Sequence, residues 1–234
     1  MAKTAGIIQA RTGSTRLPGK VLMEAGGKTM LGHLIERANR ARSLDEVIVA
    51  TSTNPENDAI EEECVKLGAG CFRTTSENDV LNRYLQAIRW ITADTAVRIT
   101  GDSILMDPQI IDYVTGQFHS GKYDCATNYS TKTFPTGFSL SVFTEESLGI
   151  LNDMELSERD REHVILAYLN NKDRFKVLEV KAPDKWNAYP LSLALDTQDD
   201  FELITAIIRE LSKVKADFGL DDILDYIKKH NISR

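Results

Sequence analysis

Residues 6–20 read GIIQARTGSTRLPGK. The apolar pair Ile7-Ile8 predicts a short buried strand. It breaks at once into a loop rich in Gly, Ser and Thr that carries three cations, Arg11, Arg16 and Lys20. Small residues at Gly13, Ser14 and Thr15 let backbone N–H groups turn toward one point and make an anion-binding concavity. Arginine adds a planar fork that suits phosphate, and lysine a compact point charge. Pro18-Gly19 bends the chain and returns Lys20 toward the same spot. So much positive charge on one short loop fits a polyphosphate, although a solvated surface loop has the same composition. It is not a Walker A loop, because no G-x-x-x-x-G-K-[ST] occurs.

Outward from this stretch, helical and extended patterns alternate. Met30, Leu31, Leu34, Ile35 and Ala38 recur at helical spacing. Residues 46–50 form a β-branched run that predicts a second buried strand. A helix carrying Ile60, Cys64 and Leu67 stops at Gly68, and residues 70–73 are strand-like. Val80, Leu81, Tyr84, Leu85, Ile88 and Ile91 mark another helix, and residues 96–99 the next strand. Asp107-Pro108 reads as an N-cap and a first-turn proline of a helix reaching about residue 118. This alternation predicts an α/β, Rossmann-like, mostly parallel sheet with helices on both faces. Ligands of such sheets lie outside the carboxyl ends of the strands, where the loops after Ile8 and Ile99 both fall.

The second half is less regular. Strands are expected at residues 124–127, 139–143, 175–180 and 193–195. Ser157 with Asp160 suggests a capping box for one helix reaching about residue 169. Phe201, Ile204, Ile207, Ile208 and Leu211 share one face of a long helix, and Ile223, Leu224 and Ile227 close the chain with a short one. With no internal repeat or Pro/Gly/Ser-rich linker, residues 1–234 read as one domain with an irregular segment near 124–182.

The 234 residues suffice for a full core without staples. Three cysteines lacking CxxC spacing suggest a reducing compartment and neither a zinc site nor a disulfide framework. The net charge of −7 argues against a nucleic-acid partner. No apolar run approaches membrane-spanning length, and residues 1–4 lack a signal-peptide core. A cytoplasmic enzyme or binding protein is the expectation.

Asp102 follows an apolar strand and a glycine, so its carboxylate is expected in the strand-end cleft. Asp196 has the same setting after Leu193-Ala194-Leu195. Two such carboxylates can share one Mg²⁺, which takes one or two carboxylates plus substrate phosphates. Alternatively each caps the helix that follows; DTQDD at 196–200 reads well as a helix start, whereas Asp107 is a better cap than Asp102. Arg98, inside a strand beside the cleft, needs an ion-pair partner or a substrate. Asp79 and Arg83, at i,i+4 spacing, read as a surface pair.

QARTGSTRLPGK resembles the N-terminal signature of the cytidylyltransferases that activate acidic sugars, the CMP-KDO and CMP-acylneuraminate synthetases. The SpsF-type branch, named for spore-coat polysaccharide synthesis, is the most similar. The resemblance continues through VIVATSTNPENDAI, CFRTTSENDVLNRYLQAI, VRITGDS, SERDREHV and LALDTQDDFELI, nearly the whole chain. It implies a nucleotide-diphosphosugar transferase type of fold and transfer of CMP from CTP to an acidic sugar or related acid, with pyrophosphate released. Arg11, Gly13, Ser14, Arg16 and Lys20 would hold the triphosphate, with Arg11, Lys20 and Asp102 catalytic. Ala10, Thr75 and Ser76 would border the base, and Arg98 a ligand. Asp102 and Asp196 would hold catalytic Mg²⁺. A homodimer is implied, and the apolar residues Val164, Ile165 and Leu166 are compatible with an interface or with core. A nucleotidyltransferase using another NTP, or a CTP-binding protein without turnover, are the alternatives. The chain departs from the branch at F-P-D-G-L-D-V-E, which is FPTGFSLS at 134–141. Hydroxyls at Thr136, Ser139 and Ser141 replace three carboxylates, and Ser103-Ile104 replaces the usual Cys-Pro. If those carboxylates line the acceptor side, their loss predicts tolerance of a more anionic acceptor or of one with fewer hydroxyls; the competing reading is a protein that binds CTP without turning it over.

Overall fold

The computed structural model describes residues 2–232. Strand β1 (Thr4–Gln9) is followed by a hairpin of two short strands, β2 (Glu24–Ala25) and β3 (Lys28–Thr29). Gly26 and Gly27 turn it with φ of 59° and 80°, the paired positive values of a type I′ turn. Then come α1 (Met30–Ala38), β4 (Glu46–Ser52), α2 (Asp58–Leu67), β5 (Gly70–Thr74), α3 (Val80–Trp90), β6 (Thr95–Thr100) and α4 (Pro108–His119). The rest holds β7 (Cys125–Thr127), β8 (Leu140–Thr144), α5 (Glu145–Asn152), α6 (Glu158–His163), α7 (Ile165–Asn170), β9 (Val177–Glu179), α8 (Gln198–Ser212) and α9 (Leu220–Lys229).

Seven strands make one sheet in the order β5-β4-β1-β6-β8-β7-β9. The run from β5 to β6 is parallel, β8 lies antiparallel to both β6 and β7, and β9 is parallel to β7. The mostly parallel sheet expected from the alternation is therefore present. Residues 124–182 supply β7, β8 and β9 and so extend this sheet. Successive strand residues point to opposite faces, and the core divides accordingly. Ile8, Val47, Val49, Val97 and Ile99 pack with α1, α2, α4, α8 and α9, whereas Ile7, Ile48, Ala50 and Ala96 pack with α3, α5 and α7. From β1 the chain winds outward through β4 and β5, then returns to place β6 on the other side of β1. The switch point between β1 and β6 is where a crevice opens in such a sheet.

Two expectations are corrected and one helix is added. Residues 193–195 are buried but form no strand; only Ser192 makes an isolated bridge, to Thr136. Their polar groups are used elsewhere: Leu193 N–H donates to the Thr136 carbonyl (2.9 Å) and Leu195 N–H to the Asp102 carbonyl (2.9 Å). The helix begun by Ser157 is two helices, because Val164 has φ 47° and ψ −60° and its fully buried side chain anchors the break. Helix α5 was not anticipated, although Thr144 caps it and Glu145 and Glu146 favour its N-terminus.

The crevice depends on a close approach. Gly101 N–H donates to the Gln9 carbonyl at 2.8 Å, and a Cβ on Gly101 would lie 2.7 Å from that oxygen. Gly101→Ala must push β6 from β1 and is expected to cost about 1–3 kcal/mol. Gly116→Ala, on an exposed stretch of α4 with no atom within 4 Å of the new methyl, should gain about 0.5–1 kcal/mol. Urea unfolding of both variants checks the contrast; equal stabilities would mean that the approach is not tight.

Candidate active site

The loop leaving β1 is held open by its own hydrogen bonds. Thr12 N–H donates to Asn57 Oδ1 (2.9 Å), and the Thr12 carbonyl accepts from Ser14 N–H (2.8 Å) and Gly19 N–H (3.0 Å). Gly19 turns with φ 68°, a left-handed value that glycine adopts without cost. Among the described residues, the N–H groups of Arg11, Gly13, Thr15 and Arg16 find no protein acceptor. Free donors in succession are what an anion-binding concavity requires.

Lys20 then reaches across to the far end of the chain. Its Nζ donates to the Leu195 carbonyl (2.5 Å) and to Asp196 Oδ1 (2.9 Å). Arg16 Nη2 lies 3.0 Å from Asp196 Oδ2. The Asp196 carboxylate is thus shared by two of the three loop cations. It does not cap α8: Thr197 does, in a reciprocal capping box with Asp200. Arg11 turns the other way, 3.7 Å from Glu77. Glu77 also accepts from Ser52 Oγ (2.9 Å) and Asn54 Nδ2 (2.5 Å), so it gathers the loops after β4 and β5 beside the basic loop.

Asp102 follows Gly101 at the end of β6. Among the described residues no cation approaches its carboxylate within 4 Å, and its contact is the Ser103 hydroxyl at 3.5 Å. Arg98 projects from β6 into the same space. It lies over the Tyr84 ring, 5.8 Å from the centroid, and its buried Nε has no hydrogen-bond partner. Tyr84, which donates to the Ile7 carbonyl at 3.3 Å, is fully enclosed, and burial raises its phenol to about 12. The platform under Arg98 therefore stays neutral and cannot serve as its counterion.

These groups line two adjoining cavities. One, about 410 Å³, takes the basic loop from Ala10 to Lys20, with Gly13 and Ser14 on its wall. The other, about 600 Å³, takes Tyr129, Ser139, Arg159, Ile165 and Leu166. Arg16, Arg98, Asp102, His163 and Asp196 belong to both. Sequence reasoning located the loop, Arg98 and the two aspartates, and the structure brings them together. Thr75 and Ser76 lie exposed on the turn after β5 and line neither cavity; the Ser76 carbonyl accepts from Arg83 (2.9 Å) and its hydroxyl from Asp79 N–H (3.1 Å). Arg83 is no surface residue: it is 1% exposed and braces this turn, while Asp79 caps α3 and pairs with Arg161 at 2.8 Å. Sequence reasoning missed Arg159 and Tyr129. They come from the broken-helix and β7–β8 segments, where no periodic signal points to a cleft. Val164 and Ile165 are accounted for within the chain, being 0% and 4% exposed.

A strand-end cleft at the switch point, with a cationic loop on one wall and an unpaired aspartate on the other, suits a phosphate-bearing nucleotide and a nucleotidyltransferase. A family model described as cytidylyltransferase matches residues 5–229, and the chain belongs to that family, whose chemistry is transfer of CMP from CTP. A spore coat polysaccharide biosynthesis protein of Bacillus subtilis, SpsF, is 30% identical over 230 residues, covering 96% of this chain and 93% of its own. An uncharacterised protein of Methanocaldococcus jannaschii is 36% identical over 228 residues, covering 97% and 91%. The solved structure of a cytidylyltransferase from Leptospira borgpetersenii superposes with a TM-score of 0.92 at 32% identity, covering 99% of this chain and 96% of its own. Among the described residues no helix is long and apolar enough to cross a membrane.

A half-buried guanidinium without a protein counterion contributes little to stability. Arg98→Met is expected to leave stability unchanged or raise it by up to about 1 kcal/mol, read by thermal unfolding. A clear loss of stability would make Arg98 a structural residue.

Proposed function

We propose that the chain transfers CMP from CTP to a small acidic acceptor, an acidic sugar or a related acid, in the making of a surface polysaccharide or glycan. The observation that carries this reading is the joining of the two cavities at Asp102, Arg98 and Asp196. The smaller, with its free N–H groups and Lys20, suits a triphosphate; the larger suits an acceptor beside the α-phosphate. In the larger cavity Arg16, Arg98, Arg159 and His163 face only Asp102 and Asp196, which favours an anion. The three hydroxyls that stand where the branch pattern has carboxylates are not equivalent. Ser141 is 2% exposed and spends its hydroxyl on Thr127 at 2.9 Å. Thr136, exposed, and Ser139, half-buried, both line the cavity, so these are the two positions where a lost carboxylate changes the acceptor side.

In the reaction an acceptor oxygen attacks the α-phosphorus, the bond to the β-phosphate oxygen breaks, and pyrophosphate leaves. Catalysis of this kind rests on positioning and charge stabilisation. Lys20, fixed by Asp196 and Leu195, holds the departing pyrophosphate, with Arg11 and Arg16 on its flanks. Arg98 holds anionic oxygen between the two cavities. Asp102 is the group suited to Mg²⁺: its carboxylate is free of cations, whereas Asp196 is already shared by Lys20 and Arg16. Among the described residues no three His, Cys, Asp or Glu side chains converge as a metal cluster, which fits an ion that takes one or two carboxylates and otherwise phosphates and waters. Held by Asp102 and by Asp196, that ion would neutralise charge on the α-phosphate.

A pyrophosphate-release assay of CTP against acidic sugars and phosphorylated or phosphonate-bearing acids, with and without chelator, tests the reading. Metal-dependent release with CTP and an anionic acceptor is expected, and little with other NTPs. Lys20→Ala should weaken CTP binding about tenfold or more, about 1.4 kcal/mol per factor of ten. Asp102→Asn should lower turnover on the order of a hundredfold. CTP binding without turnover for any acid would support a binding protein instead. Ser139→Asp should shift preference toward less anionic acceptors; an unchanged ranking would remove position 139 from acceptor selection.

A further inference from the structure

A third cavity, about 660 Å³, lies away from the cleft in the groove between α1 and α8. Its floor includes Ile104, Leu105 and Ile208; its walls carry five permanent cations, Lys28, Arg37, Arg40, Arg209 and Lys213, against the two carboxylates Glu36 and Glu210. The carboxylates are committed: Glu36 binds both Lys28 and Arg40, and Glu210 binds Lys213 at 2.7 Å. Among the described residues Arg37 and Arg209 have no carboxylate within 4 Å.

Arg37 is the unusual member. It is 5% exposed, its Nε donates to the Met106 carbonyl (2.9 Å), its guanidinium stacks 4.6 Å from the Phe218 ring centroid, and its Nη2 makes no hydrogen bond. The nearby Asp107 is spent on the N–H groups of Gln109 (2.8 Å) and Leu220 (2.5 Å). Burial accordingly pulls the Arg37 guanidinium down to about 10. His33 donates through Nε2 to the Ala25 carbonyl at 2.7 Å, and burial lowers its basicity, so its Nδ1 is a neutral polar group on the same wall. A buried cation is retained at a cost unless something neutralises it, and Arg37 has only the more distant carboxylates of Asp107, Glu36 and Asp222, none of them in an ion pair with it.

We propose that this groove is a second anion site, separate from the nucleotide cleft, that takes the phosphoryl group of a small phosphate-bearing molecule. The cation surplus and the planar Arg37 fork suit a phosphoryl group, and the apolar floor suits a compact organic body attached to it. The site sits behind the active loop: Ile104 and Leu105 follow Asp102 and Ser103, and the Arg37–Met106 hydrogen bond fastens the far end of that loop.

The proposal rests on the cytidylyl-transfer reading only in that CTP is used to fill the cleft. The full chain is first titrated with CTP, then, with the cleft saturated and ionic strength constant, with inorganic phosphate and separately with ribose 5-phosphate, by calorimetry. Failure of CTP to fill the cleft shows in the first titration and failure of the groove in the second. About one equivalent of phosphate or ester is expected to bind, and the ratio of the two affinities tells free phosphate from an ester as the source. The exposed pair Arg209→Ala/Lys213→Ala should weaken this binding tenfold or more while CTP affinity stays constant. Arg37→Met should do the same; should it fail to fold, the surface pair carries the test. No binding of either probe beside CTP, or binding indifferent to the double variant, would overturn the site.

Discussion

Leu195 and Asp196 hold the cleft together. The Leu195 N–H binds the Asp102 carbonyl, its own carbonyl accepts from Lys20, and the next carboxylate accepts from Lys20 as well. Three segments far apart in sequence are thereby fixed to one dipeptide: the loop after β1, the loop after β6 and the approach to α8. The Lys20 side chain is 12% exposed, against 64% for Arg16. Lys20 is thus screened little by solvent and placed firmly, whereas the Arg16 pair is of the surface kind worth about 0–1 kcal/mol. The dipeptide is free to make these bonds because residues 193–195 do not join the sheet; a ladder would have consumed the same N–H and C=O groups.

The sheet supplies the other half of the geometry. Gln9 and Thr100 end β1 and β6 in register, and Gly101 lets the second strand end press on the first. Asp102 is therefore set beside the start of the basic loop by backbone contact alone. On the outer side Glu77 ties Arg11 to the turns after β4 and β5. The loop is thus restrained on one flank by a carboxylate near the sheet edge and on the other by a carboxylate from near the end of the chain.

The first half of this design was legible in the sequence because strands there are short apolar runs and helices are periodic, each bounded by Gly, Pro or a cap. The site was legible where chemistry and position agree: cations in a small-residue loop, an aspartate after strand-Gly, an arginine inside a strand. Where the reading failed, tertiary contacts overrode local pattern. Leu193-Ala194-Leu195 has the apolarity of a strand, but its partners are a loop carbonyl and a lysine. SERDREHVILAYL has helical periodicity, but Val164 breaks it, and nothing local announces a β-branched residue at positive φ. Asp79 and Arg83 have ion-pair spacing, yet Arg83 turns inward to carbonyls at 76 and 77 and Asp79 finds Arg161, 82 residues away.

The sequence also suggests a loop of three unneutralised cations, and the structure alters that electrostatic picture. Arg16 and Lys20 share Asp196, and Arg11 has Glu77 at 3.7 Å, so the loop is largely self-compensated. The charge without a counterion belongs to Arg98, on the strand opposite. On the proposed reading, a triphosphate at this loop then need not meet a uniformly positive wall. It can exchange with Asp196 for Arg16, which is exposed and costs little to move, while Lys20 keeps its hold on the Leu195 carbonyl. A cation bound at Asp102 and Asp196 would favour this exchange, since it replaces the positive charge that Asp196 gives up. Such an arrangement keeps carboxylates and cations stable together before substrate arrives, and it places an uncompensated guanidinium, Arg98, where the two cavities meet.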